Sequence, residues 1–103
     1  LTIAADSTFL KTSYQKVLDY RLGVKELKKS MKNEQPLSAQ KLEEFVHLNP
    51  NFYYVYALLG DYHNHFANNE KALLYWEKAL TLEIPRKNER EAIETKINRV
   101  KND

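Results

Sequence analysis

The chain has 103 residues, the length of one small domain, and 43% of them are hydrophobic, enough for a core. Glycine (2) and proline (3) are scarce, which disfavours a turn-rich β-sandwich and favours helices. The formal net charge of +2 is too small to indicate nucleic acid or an anionic membrane surface as the partner, and no apolar run approaches the roughly 20 residues of a membrane span.

The chain contains no cysteine, which excludes disulfides, thiolate metal sites and a cysteine nucleophile within it. The compartment cannot be read from this absence, because oxidising and reducing environments both tolerate it. The opening residues LTIAADSTFL lack an initiator methionine and the pattern of a signal peptide. We therefore expect a soluble fragment of a longer precursor.

The first predicted elements are an extended lead-in over residues 1–12 and one long helix over about 13–32. Thr12 and Gln15 have the spacing of a capping box at the start of that helix. Its apolar residues recur every three or four positions, namely Val17, Tyr20, Val24, Leu27 and Met31, with Leu22 widening the stripe. Gly23 lies inside the helix, which predicts the close approach of a neighbouring helix.

The second predicted helix begins after Ser38, whose side chain is a typical N-cap, and ends at the Asn49-Pro50 pair. Its predicted buried face consists of Leu42, Phe45 and Val46. Residues 13–50 therefore read as a pair of helices.

Three further helices are predicted in the second half of the chain. The third covers about 52–66 and carries apolar residues on two faces, so it should pack on two sides. The fourth runs from about Asn69 to Leu82, with Asn68 or Asn69 as its cap. The fifth, in the segment 87–103, has a narrow apolar stripe of Ile93, Ile97 and Val100, typical of a helix that covers the end of a stack.

The third and fourth helices are short, and isolated helices below about 12–15 residues are marginal in water. Such helices become stable when they pair and stack on neighbours, as in helical repeats. The segment Tyr53 to Arg86 resembles a tetratricopeptide repeat (TPR). The matching positions are Tyr56, Leu59, Gly60, His63, Ala72, Trp76 and Ala79, with Pro85 one residue late and His63 where tyrosine is commoner.

The resemblance implies an all-α fold in which antiparallel α–α hairpins form a superhelical stack. The repeat would occupy residues 51–86, a degenerate helical hairpin 13–50, and a capping helix 87–103, together making one domain. In this family the first helix of each pair lines the concave surface. Carried over residue by residue, the groove candidates are Tyr54, Ala57, Asp61, Asn64 and His65.

The expected function is accordingly a non-catalytic module that binds a protein, a peptide or a sister domain of the same precursor. The free energy of binding would come from burying aromatic side chains. The family's clamp for C-terminal carboxylates requires Lys, Asn and Arg along the groove. Ala57 and Asp61 depart from that pattern, so binding of chaperone tails is not expected.

A second resemblance gives an alternative of a different class. The segments AADSTFLKTSYQKVLDYRLGVKEL and PLSAQKLEEFVHLNPNFYYVYALLGDYH are similar to a C-terminal extension of bacterial penicillin acyltransferase-like hydrolases. Those enzymes have an N-terminal cysteine nucleophile, which this chain does not contain. Under this resemblance the chain would be an accessory helical domain, with the catalytic part elsewhere in the parent protein.

No catalytic, metal or cofactor site is predicted from the residues. The serines lie at helix starts, caps or surfaces, and no histidine has an acid placed for a triad. His63 and His65 are two positions apart, hence on different helix faces, and cannot chelate one ion together.

Five cations form a basic stripe on the first helix, namely Arg21, Lys25, Lys28, Lys29 and Lys32. A solvated helix face is the favoured interpretation of this stripe, and an anionic partner is the alternative. The sequence does not give the oligomeric state.

Overall fold

The computed structural model describes the backbone of residues 2–102 and the side chains of residues 15–102. This part of the chain is all-α, with five helices and no strand. The helices are α1 (Thr2–Asn33), α2 (Ala39–Leu48), α3 (Tyr53–His65), α4 (Asn69–Leu80) and α5 (Lys87–Asn102). None of the helices described is both long and apolar enough to cross a membrane.

The predicted extended lead-in over residues 1–12 is wrong where the structure describes it, because α1 begins at Thr2. Thr12 consequently lies inside a helix and does not cap one. The segment before Gly23 contains neither glycine nor proline, and an established helix propagates through such residues at little cost. Residue 1 and the side chains of residues 2–14 lie outside the described part.

Short polar side chains begin two of the helices as expected. Ser38 Oγ accepts a hydrogen bond from the Lys41 amide at 3.2 Å, and Asn68 Oδ1 accepts one from the Lys71 amide at 3.2 Å. Each bond satisfies one of the amides that the first turn of a helix leaves without a backbone partner.

The turn between α3 and α4 is closed by its own backbone. Ala67 adopts a left-handed conformation with φ 61°, and the Asn68 amide donates to the His63 carbonyl at 2.8 Å. These are the features of a Schellman motif, which ends one helix and redirects the chain. The turn brings α4 back against α3.

The core consists of two clusters, and α3 contributes to both. The first cluster lies between α1, α2 and α3 and contains Leu27, Phe45, Val55, Leu58, Leu59 and Tyr62. The second lies between α3, α4 and α5 and contains Tyr53, Tyr56, Ala72, Trp76, Ala79, Ile93 and Ile97. The prediction that the third helix packs on two sides is confirmed, and α3 is the central element.

Both glycines lie where an aromatic ring reaches a helix backbone. A Cβ added to Gly23 would lie 2.5 Å from Cδ1 of Phe45, and one added to Gly60 would overlap the indole ring of Trp76. The prediction that a neighbouring helix approaches at Gly23 is therefore confirmed. The side chain of Trp76 is 1% exposed, so its ring is enclosed by the core.

Seven of the eight positions on which the resemblance to a tetratricopeptide repeat depends are buried. Tyr56, Leu59, Gly60, His63, Ala72, Trp76 and Ala79 are all buried, whereas Pro85 is exposed. In contrast, Val17 and Leu22, assigned to the apolar stripe of α1, are 47% and 56% exposed. Neither side chain points in the direction of the buried Leu27, because Leu22 projects about 140° and Val17 about 80° away from it around the helix axis.

The last helix is held against the core by apolar and polar contacts. Ile93 and Ile97 are buried as expected. The Tyr53 hydroxyl donates to Glu89 Oε2, and burial together with this bond raises the pKa of Tyr53 to about 12. Arg90 Nη2 donates to the Leu80 carbonyl at 3.3 Å and so satisfies a carbonyl at the end of α4.

We expect Gly60→Ala to destabilise the fold by about 1–3 kcal/mol, because the added methyl group overpacks against Trp76. Alanine is a better helix former than glycine, and this offsets the loss by up to about 1 kcal/mol. Gly23→Ala should destabilise the fold in the same way, because the added Cβ would lie 2.5 Å from Cδ1 of the buried Phe45 ring. Asn98→Ala, a change at an exposed position of α5, is the control and should be neutral or slightly stabilising. Urea unfolding followed by circular dichroism measures all three variants. A Gly60→Ala variant as stable as the Asn98→Ala variant would contradict the assigned role of Gly60.

Candidate partner-binding groove

A surface groove with a volume of about 420 Å³ lies between α1, α3 and α5. It is lined from α1 by Met31, from α3 by Asp61, Asn64 and His65, from α5 by Lys96, Arg99 and Val100, and from α4 by Trp76. Apolar side chains and hydrogen-bonding groups thus converge on one concave surface, the composition that ligand and peptide sites share.

Asp61 joins three helices at the floor of the groove. Its Oδ1 accepts a hydrogen bond from Trp76 Nε1 at 3.2 Å, and its two oxygens accept from Lys96 Nζ at 2.9 and 3.2 Å. The Asp61 and Lys96 side chains are 36% and 42% exposed, so water screens the ion pair and limits its contribution to stability. The hydrogen bonds nevertheless fix the position of the Lys96 ammonium beside the groove.

His65 connects α3 with the end of α1. Its Nε2 lies 3.1 Å from Glu34 Oε1, and the His65 side chain is 34% exposed. Glu34 itself adopts a left-handed conformation, with φ 56°, directly after the last residue of α1. Since the Glu34 side chain is 71% exposed, this contact lies at the edge of the groove and adds little to stability.

Asn64 and Arg99 are the groove residues whose polar groups have no described protein partner. Both side chains are exposed, and neither forms a hydrogen bond or an ion pair with another side chain in the range 15–102. An amide offers two donors and one acceptor, and a guanidinium offers five donors in a planar fork. These two groups are therefore available to a bound molecule.

The structure brings together three of the five residues predicted to line a groove. Asp61, Asn64 and His65 share the cavity, with Asp61 held by Trp76 and Lys96. Tyr54 and Ala57 lie outside the cavity lining and are half-buried against the core clusters. The Tyr54 ring packs near the rings of Phe52 and Tyr53. The Tyr54 ring is therefore not available in the groove, the position that the TPR resemblance implied for it.

The residues that sequence reasoning missed come from α1 and α5. Met31 was assigned to the buried stripe, and Arg99 and Val100 to a helix that only covers the core. The sequence contained one indication of these residues, because Val100 belongs to the predicted apolar stripe of α5 and Arg99 precedes it. The stripe predicts that this side of α5 packs against the protein. It does not show which face of α5 borders α3.

His63 is a buried histidine placed among aromatic rings. It stacks on Tyr75 with 5.3 Å between ring centroids, and it meets Tyr62 edge-on at 5.1 Å. Burial lowers the pKa of His63 below its ordinary value, and the nearby Lys71 ammonium lowers it further. The imidazole is therefore maintained in its neutral form as a packing group.

No group of three or more His, Asp or Glu side chains in the described range is arranged to hold a metal ion. Comparisons of the chain with models of known families, with curated proteins and with solved structures find no match. The functional interpretation therefore depends on the residues and their geometry.

Asp61→Ala should destabilise the protein by about 1–3 kcal/mol, because the buried Trp76 N–H loses its acceptor. Asp61→Asn is the control variant: its amide oxygen still accepts that bond, and losing an exposed ion pair costs at most about 1 kcal/mol. Urea unfolding followed through the fluorescence of the single tryptophan reports both changes. Equal losses in the two variants would contradict this assignment and show that the ion pair, which both variants remove, dominates.

The free energy of unfolding should fall as the pH drops below 6.5, the ordinary pKa of histidine. The reason is that the unfolded chain binds a proton on His63 more readily than the native chain does, so acid favours unfolding. Unfolding in urea is measured from pH 7 to about pH 5. This interval lies above the pH range in which protonation of carboxylates dominates the change in the free energy of unfolding. His63→Tyr should flatten the profile, and the exposed-site control His47→Gln should not. A sloping profile in His63→Tyr would contradict this assignment.

Proposed function

We propose that this chain is a non-catalytic protein-interaction module built from TPR-like helical hairpins. In this proposal it binds an extended segment of a partner protein, or of a sister domain, in the groove between α1, α3 and α5. The observation that carries the proposal is the convergence of apolar Met31 and Val100 with the unpaired polar groups of Asn64 and Arg99 on one concave surface.

The helical arrangement supports the TPR-like part of the proposal. The helices that would come first in successive hairpins, α1 and α3, both border the groove, and so does α5. The close pairing of α3 with α4 uses the small residues Gly60 and Ala72 and the large residue Trp76 in the way that such repeats require.

The chemistry of the groove supports recognition of a peptide. A peptide backbone presents carbonyl groups that Asn64 and Arg99 can donate to, while its apolar side chains can contact Met31 and Val100. Lys96 is already positioned by Asp61, so it requires little further ordering to meet a negative group. A few such residues normally provide most of the binding energy.

The test begins with selection of binding peptides from a phage-displayed random library, using the full chain as bait. Affinities of the selected peptides are then measured by fluorescence anisotropy. Asn64→Ala and Arg99→Ala should each weaken binding by about tenfold, the effect of losing one hydrogen bond to a charged or strongly polar group.

Two exposed residues outside the groove provide matched controls. Asn98 is two positions after Lys96 on α5 and so lies on a different face of that helix, and Arg86 precedes α5. Asn98→Ala and Arg86→Ala should leave the affinity unchanged. The proposal is wrong if the groove variants bind as tightly as the unaltered chain.

A further inference from the structure

We propose that the basic face of α1, formed by Arg21, Lys25, Lys28, Lys29 and Lys32, docks an acidic segment of a partner protein. This surface goes beyond the groove, because its cations all lie on one helix and do not line the groove cavity. All five side chains are exposed. Lys28 precedes Met31 by three positions and so lies next to the groove margin.

The basic face has no internal charge compensation. Between Arg21 and Lys32 the one carboxylate is Glu26, and its Oε2 is paired with Lys41 Nζ of α2 at 3.4 Å. Among the side chains described, none of the five cations forms an ion pair. Since the whole chain has a net charge of only +2, the rest of the molecule is net negative and the positive charge is concentrated here.

The five cations of the basic face destabilise α1 by repelling one another. Each of the five cations has a like-charged neighbour three or four positions away, a spacing at which like charges destabilise a helix. In α5, by contrast, Lys87 is paired with Glu91, and Lys101 with Glu77 of α4. Charges of both signs would keep the protein soluble equally well, so solubility does not explain why this face of α1 carries cations alone. An anionic partner accounts better for it.

The residues beside the cations indicate a protein partner. The exposed apolar side chains of Val17 and Leu22 flank the basic face on its two sides. Between Arg21 and Lys32 the face offers no aromatic ring for stacking on bases and no amide side chain for reading them, which disfavours nucleic acid. The main apolar stripe of α1, including Leu27, is packed inward, which disfavours insertion into a lipid surface. Acidic and apolar groups together fit a protein segment.

The test uses a labelled synthetic amphipathic helical peptide rich in Glu and Leu, and a matched peptide with Gln in place of every Glu. Fluorescence anisotropy measures their binding to the full chain. The acidic peptide should bind more tightly than the Gln peptide, and salt raised from about 50 to about 300 mM should weaken it, because exposed charges are screened. The double variant R21E/K25E should lose about tenfold or more in affinity.

The control variant K71E/K87E makes the same charge change at exposed positions on α4 and α5 and should bind the acidic peptide like the unaltered chain. R21E/K25E places opposite charges next to Lys28 and Lys29, so its helix should not be weakened, and circular dichroism verifies this. Asn64→Ala should leave this binding intact, which separates the basic face from the groove.

Three results would overturn the proposal. One is equal binding of the Glu and Gln peptides, and another is an equal loss in the control variant. The third is tighter binding of a DNA duplex or of phosphatidylserine vesicles than of the peptide, abolished by R21E/K25E, which would assign the face to another class of partner.

Discussion

The close approach of α3 and α4, with Trp76 packed against Gly60, is the contact on which the rest of the structure depends. A side chain at Gly60 would occupy the space of the indole ring, so the two helices pair closely only because glycine lies there. The indole N–H in turn donates to Asp61. Since Asp61 also fixes Lys96 of α5, a single packing contact positions the core and the floor of the groove.

The central position of α3 explains why a groove forms. Its side chains enter both core clusters, which leaves the face containing Asp61 and Asn64 for the surface. α1 and α5 lie on the two sides of that face and contribute Met31 and Val100 to its walls. The concave surface is thus a geometric consequence of packing two helices against the flanks of a third.

The two proposed surfaces draw on different interactions. The groove combines short-range apolar contact with hydrogen bonds, which act only once a partner is seated. In the proposed docking the basic face would act at longer range, because several uncompensated cations would attract an acidic partner before contact and increase its rate of encounter. Their proximity along α1, where Lys28 lies close to Met31, allows one extended partner to use both.

The sequence by itself determined the helical class, the approximate bounds of α2 to α5, a cap at Ser38, a second cap at the Asn68-Asn69 pair and the burial of Trp76. These follow from local rules, because a cap needs an amide three residues away and a packing face needs only the helical period. The early start of α1 was missed, since propagation of a formed helix outweighed the weak local preferences of its first residues.

Only the tertiary structure decided which surfaces remained open. The apolar period of α1 could not show that Leu22 would remain 56% exposed at the rim of a surface cavity between α1 and α2. Likewise, Met31 and Arg99 border one groove although they are far apart in the chain. The spatial proximity of such distant residues depends on the crossing angles and distances between helices. These are set by the sum of many side-chain contacts, and no local pattern of residues encodes them.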